Sequence, residues 1–343
     1  MKLFINDYQE GCIPEILDKL KENNYKANSG YGTDAICERA RGLIKEEIKS
    51  NDADIHFVSG GTLTNKIVIS NFLRSFEGVI CADTAHIATH ETGAIENGGH
   101  KVLTVKNSDG KLLPSEVERL VNEHIGGLSV EHTVKPAMVY ISQSTEMGTV
   151  YTLKEMRALS EVCKKLGLIF YIDGARILYS LFSKDCDFTL SDVAKLCDVF
   201  YIGGTKAGAL LGEALVINNP QLKRDFRYML KQSGALMAKG FVMGVQFEGL
   251  FENGNYKKYC KGAVEKADRI RSALSSKGIA FESNATDTQT FAIFTREQYL
   301  KLEKHFDFGG ATFSDGKAFA RICTSWATEE KSVDELVLAI EKL

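Results

Sequence analysis

A chain of 343 residues with 44% hydrophobic and 25% charged side chains has an ordinary globular composition, which excludes a disordered or fibrous protein and leaves room for one large or two modest cores. Lys+Arg 42 against Asp+Glu 45 gives a formal net charge of −3, so there is no basic field to hold a nucleic acid. No uncharged run approaches a membrane span, the start MKLFINDYQEG does not read as a signal peptide, and eight scattered cysteines form no CxxC; a cytoplasmic protein with reduced thiols is expected.

In chain order, Asp34 can cap a helix carrying Ile36, Ala40, Leu43, Ile44 and Ile48. Ile55 to Val58 reads as a strand, followed by the turn Ser59-Gly60-Gly61-Thr62 and a helix from Leu63 to Leu73. His86 and His90 stand four apart in HIATHETG, and Ser115 with Glu118 forms a capping box. Ala137 to Ser142 is a strand ahead of a helix that the box Thr152/Glu155 opens and Gly167 stops. Leu168 to Ile172 and Asp198 to Ile202 are nearly continuous apolar runs, as expected of strands covered on both faces, with a helix near Ser191 to Leu196 between them.

Alternating buried strands and amphipathic helices predict an α/β protein with a mostly parallel sheet. From Tyr256 to Lys277 a long charged helix ends at Gly278, and strands at Ile279 to Glu282, Thr290 to Phe294 and Phe319 to Thr324 follow, with a last helix capped by Ser332 and Glu335. This predicts a smaller C-terminal α+β domain, dividing the chain into 1–248 and 249–343.

Three polar signatures follow strand ends, where open α/β sheets bind ligands: the turn at 59–62, Asp173-Gly174-Ala175-Arg176, and Gly203-Gly204-Thr205-Lys206. The first offers N–H groups at a helix start and suits a phosphate, but it matches neither G-x-G-x-x-G nor a P-loop. Lys206, preceded by glycines, could form a Schiff base; on the tetrapeptide alone, a solvated loop cation is the favoured reading. Asp173 closes a buried run, which is costly without a partner, and a pyridinium nitrogen is one such partner. Phosphate turn, Asp and Lys in that order therefore point to pyridoxal phosphate. The glycines 60, 61, 174, 203 and 204 are expected where a cofactor approaches the backbone. His86 and His90 could present two metal ligands, yet no third is evident, so no metal is assigned. Arg176 and Arg321 are candidates for gripping a carboxylate bidentately.

Together Asn6-Asp7, Tyr31-Gly32-Thr33-Asp34, SGGTLTN, HIATHETGA, DGAR, GGTK, KQSG and ARICTSW resemble the low-specificity L-threonine aldolase family, within the beta-eliminating lyases and the aspartate aminotransferase-like fold type I enzymes. The resemblance implies a large pyridoxal 5'-phosphate domain and a small C-terminal domain. It makes Lys206 the Schiff-base lysine, Asp173 the partner of the ring nitrogen and His86 the imidazole on the ring face. Gly61 and Thr62 would hold the phosphate, with Arg176 and Gln143 near the cofactor. Arg176, Arg321 and the Asn6 segment would hold the substrate carboxylate, and Lys231 would reach a neighbouring subunit's phosphate in a homodimer or homotetramer. Asn6, Lys231 and the GGTK motif are departures from many members.

The reaction so implied is retro-aldol cleavage of L-threonine or L-allo-threonine, a small β-hydroxy amino acid, to glycine and acetaldehyde. His86, then His90, is the expected base for the β-hydroxyl proton, since an imidazole titrates near about 6.5. A β-eliminating lyase on another amino acid and a non-catalytic binding protein are the alternatives; a nicotinamide oxidoreductase ranks last for want of its glycine fingerprint.

Overall fold

In a computed structural model, which describes residues 1–343, a two-residue strand β1 (Lys2–Leu3) precedes a seven-stranded sheet. Its strands are β2 (Asp54–Val58), β3 (Glu77–Ala82), β4 (Val102–Val105), β5 (Lys135–Ser142), β6 (Ile169–Asp173), β7 (Val199–Gly203) and β8 (Glu213–Ile217), in the order β2-β8-β7-β6-β5-β3-β4. β8 alone runs against its neighbours, while β7, β6, β5, β3 and β4 pair parallel. The sheet is thus mostly parallel, as its apolar runs require. β3, β4 and β8 are strands that the sequence patterning left unassigned.

Strand alternation sends side chains to two cores. Val139 and Ile141 of β5, Phe170 and Ile172 of β6, and Phe200 and Ile202 of β7 face the larger one. Tyr140, Tyr171 and Tyr201 of the same strands face the other. Three adjacent tyrosines on one face have hydroxyls that must find partners inside the protein, and this requirement builds the site described below.

Most helix boundaries follow local chemistry. Asp34 accepts from Cys37 N at 2.9 Å, and Thr152 and Glu155 form the expected box before the helix Leu153–Leu166, which Gly167 ends at φ 66°. Two caps differ. The helix Pro114–Ile125 starts one residue before Ser115, because Pro114 already has a helical φ and no N–H to satisfy. The last helix, Glu330–Glu341, is preceded by Glu329, so Ser332 lies within its first turn. The HIATHETG segment makes only the short helix His86–Thr89.

A second, four-stranded sheet holds β9 (Ala280–Phe281), β10 (Gln289–Thr295), β12 (Thr312–Ser314) and β13 (Lys317–Cys323), while β11 (Phe306–Asp307) pairs in parallel with β1. Phe4 packs in the same apolar cluster as Ile270, Leu274, Phe294 and Leu336. The chain's first residues therefore return to its last ones. The helix Asn255–Ser276 contributes Tyr256, Cys260, Ala263 and Val264 to the larger core and Ile270, Ala273 and Leu274 to the small one. The helix Phe241–Phe251 runs unbroken across residue 248. No helix is long and apolar enough to cross a membrane.

Candidate active site

Asp173 ends β6 on the tyrosine face and is 3% exposed. Its Oδ2 accepts from the Tyr140 hydroxyl at 2.6 Å and Asn65 Nδ2 at 3.0 Å; its Oδ1 accepts from the Tyr201 hydroxyl at 2.5 Å and Ala175 N at 2.9 Å. Burial opposes the charge, but His86 and the two phenols outweigh it and hold the carboxyl below its ordinary pKa. Tyr171, the third tyrosine, donates to Asn65 Oδ1 at 2.6 Å and so orients that amide.

Lys206 lies in the turn after β7, with Tyr179 Oη donating to its carbonyl at 2.6 Å. Burial lowers the pKa of its amine, Arg176 lowers it further, and Asp7, Asp173 and Glu213 offset part of the effect. A cavity of about 250 Å³ receives Lys206 and Asp173 together with Ser59, Gly60, Gly61 and Thr62. His86, Arg176, Ser142, Ser144, Glu146 and Glu213 complete much of the polar wall. The helix Gly61–Phe72 opens onto it without any side-chain cap at Gly60, leaving first-turn N–H groups unpaired.

The glycines of the two lower loops serve the backbone of the protein itself. A Cβ at Gly174 would overlap the Tyr201 carbonyl, and one at Gly203 would sit 2.5 Å from the Ala175 carbonyl. Gly203 N in turn donates to Gly174 O at 3.0 Å. These glycines let the Asp173 and Lys206 loops touch, which is what brings the two side chains to one cavity. Gly61 is also tight, since a Cβ there would lie 3.1 Å from Tyr201 Oη.

His86 lines the cavity, with Nδ1 2.8 Å from Glu91 Oε1 and its backbone N–H donating to Glu146 Oε1 at 2.9 Å. Burial disfavours its cation, but the Glu91 hydrogen bond and Asp173 prevail and raise its pKa. His90 is exposed beside it, ring centroids 5.6 Å apart, and is absent from the cavity wall. Burial and the charges of His86, Arg321 and Arg176 lower its pKa.

Arg176 also lines the cavity, but its fork is taken: Nε and Nη2 donate to the two oxygens of fully buried Asp7 at 2.8 and 3.0 Å. Arg321, on β13, is freer, with 3.2 Å to Ile5 O and 3.5 Å to Gln289 Oε1. Asn6 accepts from Tyr8 N at 3.0 Å. Gln143 is fully buried outside the cavity, its amide bridging Tyr151 N and O at 3.0 and 3.1 Å. Lys231 is exposed elsewhere, its Nζ 4.3 Å from the Tyr31 ring centroid.

Sequence reasoning missed Glu146, Glu213, Asp7 and Glu91. Glu213 had a signal: it opens the apolar run EALVI just as Asp173 closes one. It is 4% exposed, accepts from Thr205 Oγ1 at 2.9 Å and Gly204 N at 3.2 Å, and burial pushes its pKa up to about 8 against the pull of Lys206.

The beta-eliminating lyase family profile matches residues 16–298. A low specificity L-threonine aldolase from Pseudomonas sp. (strain NCIMB 10558) is 32% identical over 345 aligned residues, covering 98% of this chain and 96% of that one. Its Pseudomonas aeruginosa counterpart is 33% identical, covering 97% and 95%. The solved structure of Leishmania major threonine aldolase superposes with a TM-score of 0.96 at 42% identity, covering 100% of this chain and 99% of that one.

Proposed function

This chain belongs to the beta-eliminating lyase family, and from that premise we propose that it cleaves L-threonine and L-allo-threonine to glycine and acetaldehyde with pyridoxal 5'-phosphate in the cavity. It is a carbon–carbon lyase of fold type I. The observation that carries the reading is the meeting of Asp173 and Lys206 at one cavity beneath an uncapped helix start.

The residues present fit the cofactor. The open N–H groups at Gly61 and Thr62 suit a phosphate. Asp173 is an acceptor held ionised, which suits a protonated ring nitrogen. Lys206, with its lowered pKa, has a larger neutral fraction than a surface lysine and is the better nucleophile for covalent attachment. When bound, the group supplies a sink for the electron pair released from the breaking bond.

His86 would cover the ring face, its Nδ1 held by Glu91. Arg321 would grip the substrate carboxylate, since its guanidinium is only loosely engaged; Arg176 would hold the Asn6–Asp7 segment in place beside it. Gripping the carboxylate orients Cα so that the Cα–Cβ bond is the one that breaks. Gln143 supports the 143–151 loop rather than the ring. Exposed Lys231 is assigned to the phosphate of a neighbouring subunit, in a cytoplasmic homodimer or homotetramer.

The test is direct. Protein loaded with pyridoxal phosphate should be yellow and release acetaldehyde from L-threonine, and Lys206→Ala should lose both properties. Pyruvate and ammonia from a β-substituted amino acid, with no acetaldehyde from threonine, would replace the reading with β-elimination.

A further inference from the structure

The reaction needs a base for the β-hydroxyl proton. Of the carboxylate, amine and imidazole groups on the cavity wall, Asp173 and Lys206 are given over to the cofactor and both oxygens of Glu213 are taken by Thr205 and Gly204, which leaves His86 and Glu146. We propose that Glu146 is that base, acting through Oε2; the inference rests on the threonine-cleaving function above.

Glu146 is bound at one oxygen only. Its Oε1 accepts from Ser142 Oγ at 2.5 Å and from the His86 backbone N–H at 2.9 Å, while Oε2 makes no hydrogen bond. One oxygen is thus pinned by donors from β5 and from the start of the His86 helix. The other is left as an acceptor on a wall shared with Lys206 and Asp173. A carboxylate held in this way pays little to be aimed at a substrate hydroxyl.

The loop that carries it is anchored from the small domain, independently of the carboxyl group. Ser144 Oγ donates to Asp287, Ser283 Oγ donates to Met147 O at 2.7 Å, and Thr286 N donates to Gly148 O at 2.9 Å. Glu146 therefore sits in a loop held from behind by residues 283–287, while its carboxylate lies on the cavity wall.

The competing imidazole is less suited. Glu91 and Asp173 both favour its protonated form, and an imidazolium has no lone pair to accept a proton. Burial and the nearby Asp173 charge also raise the pKa of Glu146, but from the ordinary carboxylate range, where the shift makes it a stronger base.

In the step, the hydroxyl proton passes to Oε2 and the O–H pair becomes the second bond of the aldehyde carbonyl. The Cα–Cβ pair stays with Cα, where the cofactor, when bound, would delocalise it. One proton leaves the hydroxyl and one is taken up at Cα, so no oxidant, reductant or further reactant is required.

The experiment compares two reactions of the pyridoxal phosphate-loaded protein. Cleavage of L-threonine needs the base; exchange of the glycine α-proton with deuterium oxide needs Lys206 and Asp173 but no β-hydroxyl base. Glu146→Gln keeps an oxygen for Ser142 and His86 N. It should lower kcat for threonine by roughly 100-fold or more while leaving glycine exchange and the visible absorbance within about threefold of wild type. Formate should restore part of the cleavage in Glu146→Ala. The proposal is overturned if Glu146→Gln cleaves threonine like wild type, or if glycine exchange falls in parallel with cleavage, which marks a structural role. A wild-type protein that neither takes up pyridoxal phosphate nor exchanges glycine removes the function reading itself, and this proposal with it.

Discussion

Asp7→Asn strips Arg176 of its counter-charge with almost no change of shape. The two side chains are 0% and 12% exposed, and the pair is bidentate at 2.8 and 3.0 Å, so solvent cannot replace the lost charge. Removing one partner of such a buried pair costs about 3–5 kcal/mol, because the survivor stays buried and uncompensated. At roughly 2–4 °C per kcal/mol for a large domain, the melting temperature should fall by roughly 6–20 °C. Arg176→Met should be similarly costly, but the double variant should cost less than the sum, since no charge is then stranded.

The effect has a definite pH window. Burial raises the pKa of Asp7, but Arg176 and Lys206 pull it below its ordinary 3.8. Its contribution is therefore complete above 3.8 and is lost as pH falls through the depressed folded value, so variant and wild type should converge only in acid. Urea unfolding of the four proteins of the cycle, at neutral pH and in acid, measures both quantities. A loss for Asp7→Asn under about 1 kcal/mol, or strict additivity in the cycle, would refute the argument that this pair is a buried tie between the first residues and the site.

Two further outcomes follow from the titrating groups. Glu91→Gln removes the charged acceptor of His86 Nδ1, so the imidazole pKa should drop; an NMR titration of the His86 ring that shows no drop would detach Glu91 from that role. Glu213, pushed up to about 8, keeps a proton in the folded state that the unfolded chain releases near 4.5, so stability should decline as pH rises between those values. Glu213→Gln should flatten that decline in denaturation midpoints, and an unchanged slope would place its source elsewhere.

What was legible in the sequence is what adjacent residues decide. The box at Thr152 and Glu155, the stop at Gly167, the apolar runs of β5, β6 and β7 and the helix Asn255–Ser276 all rest on contacts a few positions apart, and they appear nearly where expected. Asp173 and Lys206 were legible for a related reason: a charge at the end of a buried run is anomalous wherever the strand goes. The tertiary structure alone decided which partners those charges meet. Arg176 reads as free for a carboxylate until Asp7, 169 positions away, closes its fork. Glu146 lies in a polar loop with no local anomaly, and only the crossing of that loop with the start of the His86 helix brings its carboxylate to the cavity. Periodicity and capping are short-range energies and leave a local imprint. Pairing of charges between loops depends on which strand ends the sheet order makes neighbours, and no local window contains that.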